Sequence, residues 1–455
     1  MPLSVVFSQE EARFSIEYNE VFVSESLASL EQIFDVRFSY QDQILKDKTL
    51  TLKKSVRTLG QVLAEISTLT TLSFQKIDER YIIVYESKLT EKNIELLDNV
   101  VITGYLTKGI EKNKDATFTI SPEKLGILPG LIEADILESI QLLPGVISPN
   151  ETATGFTVRG GAMDQNRVIW DGINIYHKGH LFGMLSAFNP NSTRKVIFHN
   201  QGTHSRFGER ASSVIDISSI NQITDDFKVG VGVNGINSDI YIEAPIIKDK
   251  LSIQASLRRS YTELYQSITF TKIADKVFQD TKIANVQNIN NNFFFIDYNI
   301  KLNYQLNDAN SFYASTIFID NDLNYLVIDP DLNTSFNDVL EIKNDGYGFG
   351  WNKIWNSSIV QHTKVFLSRY SLDYNYMTSL NGGQISNFEK KNEIYDSGVS
   401  TEFILTTKKN NNLTFGYQYV LKDVSYLFKE NIGSPIILDA DKTIIKTHSL
   451  YAQYY

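Results

Sequence analysis

Cysteine is absent from the 455 residues, which excludes both a disulfide framework and any thiolate metal site. Methionine is scarce, with four against 24 Tyr and 27 Phe, a balance that favours aromatic-rich strands over helices. No apolar run approaches the roughly 18 residues of a membrane-spanning helix. That excludes an α-helical span but not a β-barrel, whose strands alternate and escape hydropathy windows. A basic excess is also missing: 43 Lys and Arg against 53 Asp and Glu leave a net charge of −10. This argues against a general nucleic-acid binder, so no nucleic-acid partner is expected. There is no Ser/His/Asp, HExxH or Walker-type arrangement, so neither enzymatic activity nor a cofactor is expected. The length suggests about three domains.

What is present is organised around Phe156–Tyr176, FTVRGGAMDQNRVIWDGINIY. Two extended runs, Phe156–Val158 and Val168–Trp170, flank a Gly-rich polar turn. Asp171-Gly172 then reverses the chain, because Gly takes a positive φ without steric cost. Arg159, Asp164, Arg167 and Asp171 stand close to apolar strand residues, so each must face solvent or be paired. Alone, the Arg-Gly-Gly at 159–161 reads equally as a nucleic-acid-type repeat or a turn.

Six blocks in order settle the matter: LLPGV at Leu142–Val146, TVRGG at Thr157–Gly161, DQNR at Asp164–Arg167, WDG at Trp170–Gly172, HLFGMLSAFNP at His180–Pro190 and RFGERASSVIDI at Arg206–Ile217. The stretch resembles the plug domain of TonB-dependent outer-membrane receptors. The plug-motif residues implied are Arg159, Gly160, Gly161, Asp164, Gln165, Asn166, Arg167, Asp171, Gly172, Arg206, Gly208 and Arg210. Where the family pattern has Gly, this chain has Glu209, which puts a tight turn there in doubt. Arg159, Arg167, Arg206 and Arg210 are expected to meet carboxylates on a barrel wall, with Arg159 and Arg210 buried, since a lone buried charge costs several kcal/mol.

Residues 14–88 form a compact module before the plug. FSIEY (Phe14–Tyr18) alternates as a strand, and Ser24 is expected to cap a helix with Leu27, Leu30, Ile33 and Phe34 on one face. Short strands at Arg37–Tyr40 and Leu50–Leu52 precede a second helix striped by Leu59, Val62, Leu63, Ile66 and Leu69. Strands Leu72–Ile77 and Tyr81–Tyr85 close the module. This β-α-β-β-α-β-β order resembles the secretin/TonB N-terminal (STN) domain, which implies a periplasmic module that signals to an inner-membrane anti-sigma factor. Residues 1–13 read either as a signal-peptide remnant, from Pro2–Ser8, or as an ordinary first strand.

Residues 89–115 read as a linker. Within it, Asp98, Asn99, Val100, Val101, Ile102, Thr103, Gly104 and Tyr105 form a β-preferring island between polar connectors. Its place before the plug makes it resemble a TonB box, which adds as a strand to the TonB C-terminal domain. The plain alternative is a stray edge strand. Ile110–Asp115 reads as a second connector, and the plug is assigned to 116–220. It opens on strand Phe118–Ser121, has a helix over Leu131–Leu142, and adds strands Arg194–His199 and Ser213–Ile217.

From 221 to 455 the period is two, as at Val229, Val231 and Val233 or Tyr298, Ile300, Leu302 and Tyr304. Short turns at Lys248–Lys250, Asn307–Asn310, Asn356–Ser358 and Lys408–Asn412 alternate with long segments near 261–290, 321–343, 376–391 and 429–443. That asymmetry, with about ten strands of about ten residues, marks an outer-membrane barrel with its short turns in the periplasm. A lumen holding a plug belongs to the 22-stranded class, so the chain is expected to carry part of a larger, open barrel. The fold class is therefore mixed: a small α/β module, an α/β plug and an antiparallel transmembrane β-barrel.

The resemblance implies a receptor in the cell outer membrane, its N-terminal module in the periplasm. Its partners would be TonB, outer-membrane lipid, an anti-sigma factor and an imported ligand, with a ferric siderophore or ferric citrate ahead of a glycan or peptide. A secretin-like export pore and a secreted β-rich binding protein are the competing classes. No metal site is expected. His177, His180, His199 and His204 are read as solvated or hydrogen-bonded, and Asp329, Asp331, Asp338 and Glu341 as a solvated loop in preference to a divalent-cation site.

Overall fold

The computed structural model describes residues 13–45, 48–70, 72–77, 80–86, 108–113, 115–129, 131–200, 204–209, 212–278, 288–329, 331–407 and 411–454. The chain divides into two compact units, Met1–Leu97 and Asp98–Tyr455. Asp98–Tyr105 and Arg210 lie outside the described residues, as does Pro2–Ser8.

The first unit runs β1 (Arg13–Phe22), α1 (Val23–Phe34), β2 (Arg37–Ser39), α2 (Asp42–Leu45), β3 (Thr49–Thr58), α3 (Leu59–Leu69), β4 (Leu72–Lys76) and β5 (Tyr81–Glu86). β1 pairs with β3, and β5 lies between β2 and β4. Val23, Leu27 and Leu30 of α1 and Val62 and Ile66 of α3 bury against Ile16, Leu50, Leu52, Leu72 and Val84. The helical spacing in the sequence marks that face, although Leu69 is 59% exposed. Ser24 does not cap α1: Phe22 holds the N-cap position with an extended backbone and no side-chain bond. β1 runs straight into the helix, leaving Ser24 inside the first turn. At α3 the cap is complete, with Thr58 and Gln61 forming a reciprocal capping box.

The second unit holds an inner domain and a sheet wall. Its six-stranded inner sheet has the order β11 (Ile173–Ile175), β10 (Asn166–Trp170), β15 (Ser213–Ser218), β14 (Lys195–His199), β7 (Phe118–Ile120), β6 (Ile110–Lys112). β10 and β15 run parallel, Val168 opposite Ile215. Hairpins of β8 (Val146–Ile147) with β9 (Thr157–Val158) and of β12 (Gly179–His180) with β13 (Leu185–Ser186) flank this sheet. Two expectations are corrected here. Ile110–Lys112 is an edge strand of the sheet, because Ile110 is fully buried in its core while Lys112 turns outward. The helix spans only Ile136–Gln141 (α4), because the Asp135 carboxylate accepts from Leu137 N and Glu138 N and starts it there.

The wall is ten antiparallel strands, each paired with its sequence neighbour: β16 (Lys228–Val233), β17 (Asn237–Ile247), β18 (Leu251–Ser260), β19 (Asn288–Asn307), β20 (Asn310–Asp329), β21 (Thr334–Asn356), β22 (Ile359–Leu380), β23 (Gly383–Thr406), β24 (Asn412–Glu430) and β25 (Ile436–Tyr454). Among the described residues no ladder joins β25 to β16. The short turns at Lys248–Lys250, Asn307–Asn310 and Asn356–Ser358 fall where the sequence marks them, and residues 408–410 lie outside the described residues. The strands, however, reach 24 residues, and most of the segments near 321–343, 376–391 and 429–443 is ladder, with turns at 331–333, 381–382 and 431–435. Their Asp and Asn content reads as loop, yet backbone pairing needs no apolar side chains once both neighbours remain extended. The segment near 261–290 holds an unforeseen helix, α5 (Ile268–Phe278), whose Phe270 buries beside Phe293 and Phe295. No helix among the described residues is long and apolar enough to cross a membrane.

The wall is inverted relative to a soluble sheet. Ile300, Leu302, Tyr347, Phe349, Val365, Leu367 and Leu450 are exposed on its outer face. Ser252, Gln254, Arg258, Asn299, Lys301 and Asn303 are buried on its inner face, against the inner domain.

Candidate functional site

The inner domain is seated on the wall through its hairpin turn. Trp170 pairs with Ile173, and Asp171 (φ 47°) and Gly172 (φ 92°) close the two-residue turn between them. Left-handed backbone at both positions is the Asp-Gly signature of a type I′ hairpin. The turn carries Asp171 to the wall, where its Oδ1 lies 2.9 Å from Lys301 Nζ, both side chains 2% exposed. Ser219 donates to the same carboxylate through its backbone N–H, at 3.1 Å, and its hydroxyl. Tyr313 donates to the Asp171 carbonyl at 3.2 Å.

A second seat lies at β12–β13. Arg258, 1% exposed, donates to Asp297 Oδ2 at 2.8 Å, Glu133 Oε1 at 2.5 Å and the Ser186 carbonyl at 2.8 Å. Asp135 accepts from Ser186 N–H at 2.8 Å. His180 stacks on Phe295 at 4.0 Å and lies 3.0 Å from Asp297 Oδ2 and 2.8 Å from Asn321. Burial holds His180 below its ordinary pKa against the opposing pull of Asp297, so the neutral ring donates one N–H. His177 contacts Asn321 at 2.8 Å and is pushed down to about 3, by burial first and by His180 second. Both histidines are thus hydrogen-bonding groups.

A third, less buried seat involves β23 and β24. Tyr176 and Asn174 donate to Asp396 Oδ2 at 2.6 and 2.7 Å. Lys422 pairs with Glu209, and Arg206 reaches Asp216 at 3.1 Å and Glu402 at 3.8 Å. Glu209 takes the left-handed turn that Gly was expected to need (φ 75°). Arg167 donates to Asn174 Oδ1 at 2.9 Å and to the Gly208 carbonyl at 3.3 Å, so its partners are neutral. Asn166 is buried and bonded to Phe156, Met163 and Ser213, and Gln165 Oε1 accepts from Ser212.

Arg159 corrects an expectation: it is exposed, not buried at the wall. Left-handed Arg159 (φ 50°) and Gly160 (φ 78°) swing the turn outward, and the Arg159 stem lies over Gly145. Gly160 and Asp164 are exposed as well. Sequence reasoning missed Arg258, Lys301, Asp297 and Asp396, which sit on the polar face of ordinary alternating strands. The signal was their charge at positions that should face a lumen.

Above the inner domain, toward the end of the wall remote from the short turns, lies a cavity of about 380 Å³. Its lining includes Met163, Asp164, Tyr176, His177, Lys178 and Phe182, with Phe293, Asn321, Leu323 and Leu340 from the wall. Leu181 (φ 49°), Phe182 (φ 56°) and Gly183 (φ 87°) form its edge in successive left-handed conformations. Only Gly takes these without strain, so Leu181 and Phe182 cost about 1–2 kcal/mol each. A Cβ on Gly183 would stand 2.2 Å from Thr154 Oγ1, which makes Gly obligatory there. A second cavity of about 230 Å³ adjoins it, and Asp164, Tyr176 and Lys178 border both.

Asp329, Asp331, Asp338 and Glu341 do not gather. Asp329 accepts from its own turn, Asp338 accepts from Tyr374, and Glu341 meets Asp320 and Asp322 with Lys343 bonded to it.

On the inner domain, α4 carries a titratable device. Burial and the neighbouring Asp135 push Glu138 up to about 7, against the pull of Lys276. A carboxyl raised in the folded state favours folding below its unfolded pKa of 4.5 and loses that contribution as pH rises through about 7. Amide exchange in Ile136–Gln141 is therefore expected to quicken, at matched intrinsic rate, between pH 4.5 and 7. Glu138→Gln should flatten that profile; an unchanged one would remove Glu138 as its source.

A family model described as FecR, C-terminal, matches residues 15–84, the module of β1 to β5. Comparison with the curated proteins gives no match. Among solved structures the chain is similar to the outer membrane transporter YddB from Escherichia coli, with a TM-score of 0.53 and 12% identity over 78% of this chain and 56% of that one. It is similar to the copper transporter OprC, with a TM-score of 0.52 and 10% identity over 78% and 62%. The ferric yersiniabactin uptake receptor FyuA from Yersinia pestis is similar at 8% identity and a TM-score of 0.46, over 74% of this chain and 61% of that one. The chain thus spans 56–62% of the length of these structures. The shared feature is the fold of outer-membrane transporters, a mixed α/β plug held against the inner face of an antiparallel barrel sheet.

Proposed function

We propose that this protein is a TonB-dependent outer-membrane importer of a scarce ligand. One observation carries the reading: the outer face of the wall is apolar and exposed, while its inner face buries polar and charged side chains beside one apolar patch on β19 and β20 (Phe293, Phe295, Ile317, Ile319 and Leu323). Exposed apolar bands of this extent require a covering apolar phase. The polar inner face, meanwhile, satisfies the plug through seats that side-chain motion can release. In this reading the plug-motif residues from Arg159 to Gly172, with Arg206, Gly208 and Arg210, shape and hold the plug. Ligand enters from the end remote from the short turns, contacts the plug apex, and TonB draws on Asp98–Tyr105 to open a path. A ferric siderophore or ferric citrate leads the candidate ligands. The module of β1 to β5 is an STN-like domain that reports occupancy to an inner-membrane anti-sigma factor.

Fractionation tests the placement. The protein is expected in the outer-membrane fraction, migrating faster on a gel when unheated than when boiled. Recovery in the soluble fraction, with no heat-dependent shift, would refute the importer reading.

A further inference from the structure

The β12–β13 hairpin meets the wall through His180, whose ring is fully buried and stacked on Phe295 at 4.0 Å. Both ring nitrogens face oxygen acceptors. Nδ1 lies 2.8 Å from Asn321 Oδ1, and Nε2 lies 3.0 Å from Asp297 Oδ2. The Asn321 amide is committed to this orientation, because its Nδ2 donates to His177 Nε2 at 2.8 Å. His177 keeps its own proton on a hydrogen bond to the Gly179 backbone, which leaves Nε2 to accept. A neutral imidazole has one N–H, and His180 has two acceptors to serve. Whichever nitrogen carries the hydrogen, the other turns a lone pair toward an oxygen at hydrogen-bond distance.

The surrounding charges favour one further proton. Asp297 Oδ2 also accepts from Arg258 Nε at 2.8 Å, and Arg258 reaches Glu133 Oε1 at 2.5 Å. Asp135 accepts from the Leu137, Glu138 and Ser186 N–H groups. Among the described residues, the charged groups gathered at the ring are thus three carboxylates, from β19 and the segment before α4, and one guanidinium, from β18. Asn321 on β20 and His177 on the inner domain add no charge. The side chains of His180 and Asp297 are 0% and 3% exposed. As imidazole and carboxylate they carry a net −1 in that dry setting. One added proton makes the pair neutral, either as imidazolium with carboxylate or as imidazole with carboxyl. Burial opposes a lone charge on the ring, and for the same reason it favours a proton on the pair. That proton also replaces the facing lone pairs by a hydrogen bond.

We propose that His180 and Asp297 form a proton-binding latch, in which one shared proton joins the β12–β13 hairpin to the wall and its loss releases that hairpin. The latch does not depend on the importer reading, and either can fail while the other stands. The folded pair holds its proton at a pH where an unfolded imidazole, at its ordinary 6.5, has lost it. The latch therefore contributes its full stability below about 6.5 and loses it as pH rises until the pair deprotonates.

The test counts protons. The full chain in detergent, weakly buffered near pH 8 with an indicator dye, is unfolded by guanidinium chloride. Asp297→Asn is the comparison, because its amide donates to His180 Nε2 and accepts from Arg258 without a titratable proton. The wild type is expected to release about one proton more than this variant on unfolding. Its unfolding constant should also rise about tenfold per pH unit above 6.5, a slope that Asp297→Asn lacks. Should Asp297→Asn fail to fold, His180→Gln replaces it with the same expected difference. Equal proton release from wild type and variant would overturn the proposal, since a reversed Asn321 amide then satisfies a neutral ring. So would a wild-type unfolding constant that does not rise above pH 6.5. A variant destabilised to the same degree at every pH would overturn it as well, because that pattern belongs to a packing role.

Discussion

Lys301→Met is expected to unseat the plug. The substitution nearly keeps the side-chain volume but removes the cation 2.9 Å from Asp171, in a pair whose two side chains are each 2% exposed. The remaining carboxylate keeps its Ser219 donors and loses its counter-charge. Breaking a buried pair from one side costs about 3–5 kcal/mol, much more than the pair contributes relative to two neutral groups. The loss should show as a lower denaturation midpoint and as entry of a large antibiotic that the outer membrane normally excludes. Asp171→Asn in the same chain should recover most of the loss, because Asn can still accept from Ser219 without a charge to compensate. Two single variants whose losses simply add would show that the residues do not act as a pair, and wild-type antibiotic exclusion in Lys301→Met would show that this seat does not hold the plug.

The other large effect is expected far from that seat. Val101→Pro, or Ile102→Pro, should abolish ligand uptake while surface binding remains. The segment Asp98–Tyr105 has β-branched residues at Val100, Val101, Ile102 and Thr103 between polar connectors. An extended segment that carries load as an added strand does so through backbone hydrogen bonds, and proline removes one donor and fixes φ. Val101→Thr keeps the donor and the β-branch, so it should import like the wild type. Unchanged uptake in both proline variants would eliminate this segment as the point of energy input.

Much of this architecture was legible in the residues. Asp171-Gly172 announced a hairpin turn, and the turn is there. The two helix stripes of the first module marked its core, since a 3.6-residue period names a buried face wherever the helix packs. Lys248–Lys250 and Asn356–Ser358 located wall turns because short polar punctuation between alternating runs has few other uses. Strand length was misread because Asp and Asn between 321 and 343 resemble loop composition, whereas paired strands can extend past the apolar band on backbone bonds alone. Arg159 was misplaced because its charge was visible but the outward swing of two left-handed residues was not.

By itself the sequence determined the local grammar: which segments alternate, where turns fall, which faces are apolar, and that buried charges near Phe156–Tyr176 needed partners. These properties depend on neighbours a few residues away, so a linear pattern carries them. Only the tertiary structure decided who the partners are. Asp171 finds Lys301, Glu133 finds Arg258, and Asp396 takes Tyr176 and Asn174, across separations of 125 to 222 residues. Alternation says that a side chain points inward without saying what it meets. That meeting is set by strand register and by how the plug sits in the wall, and both are sums over the whole second unit.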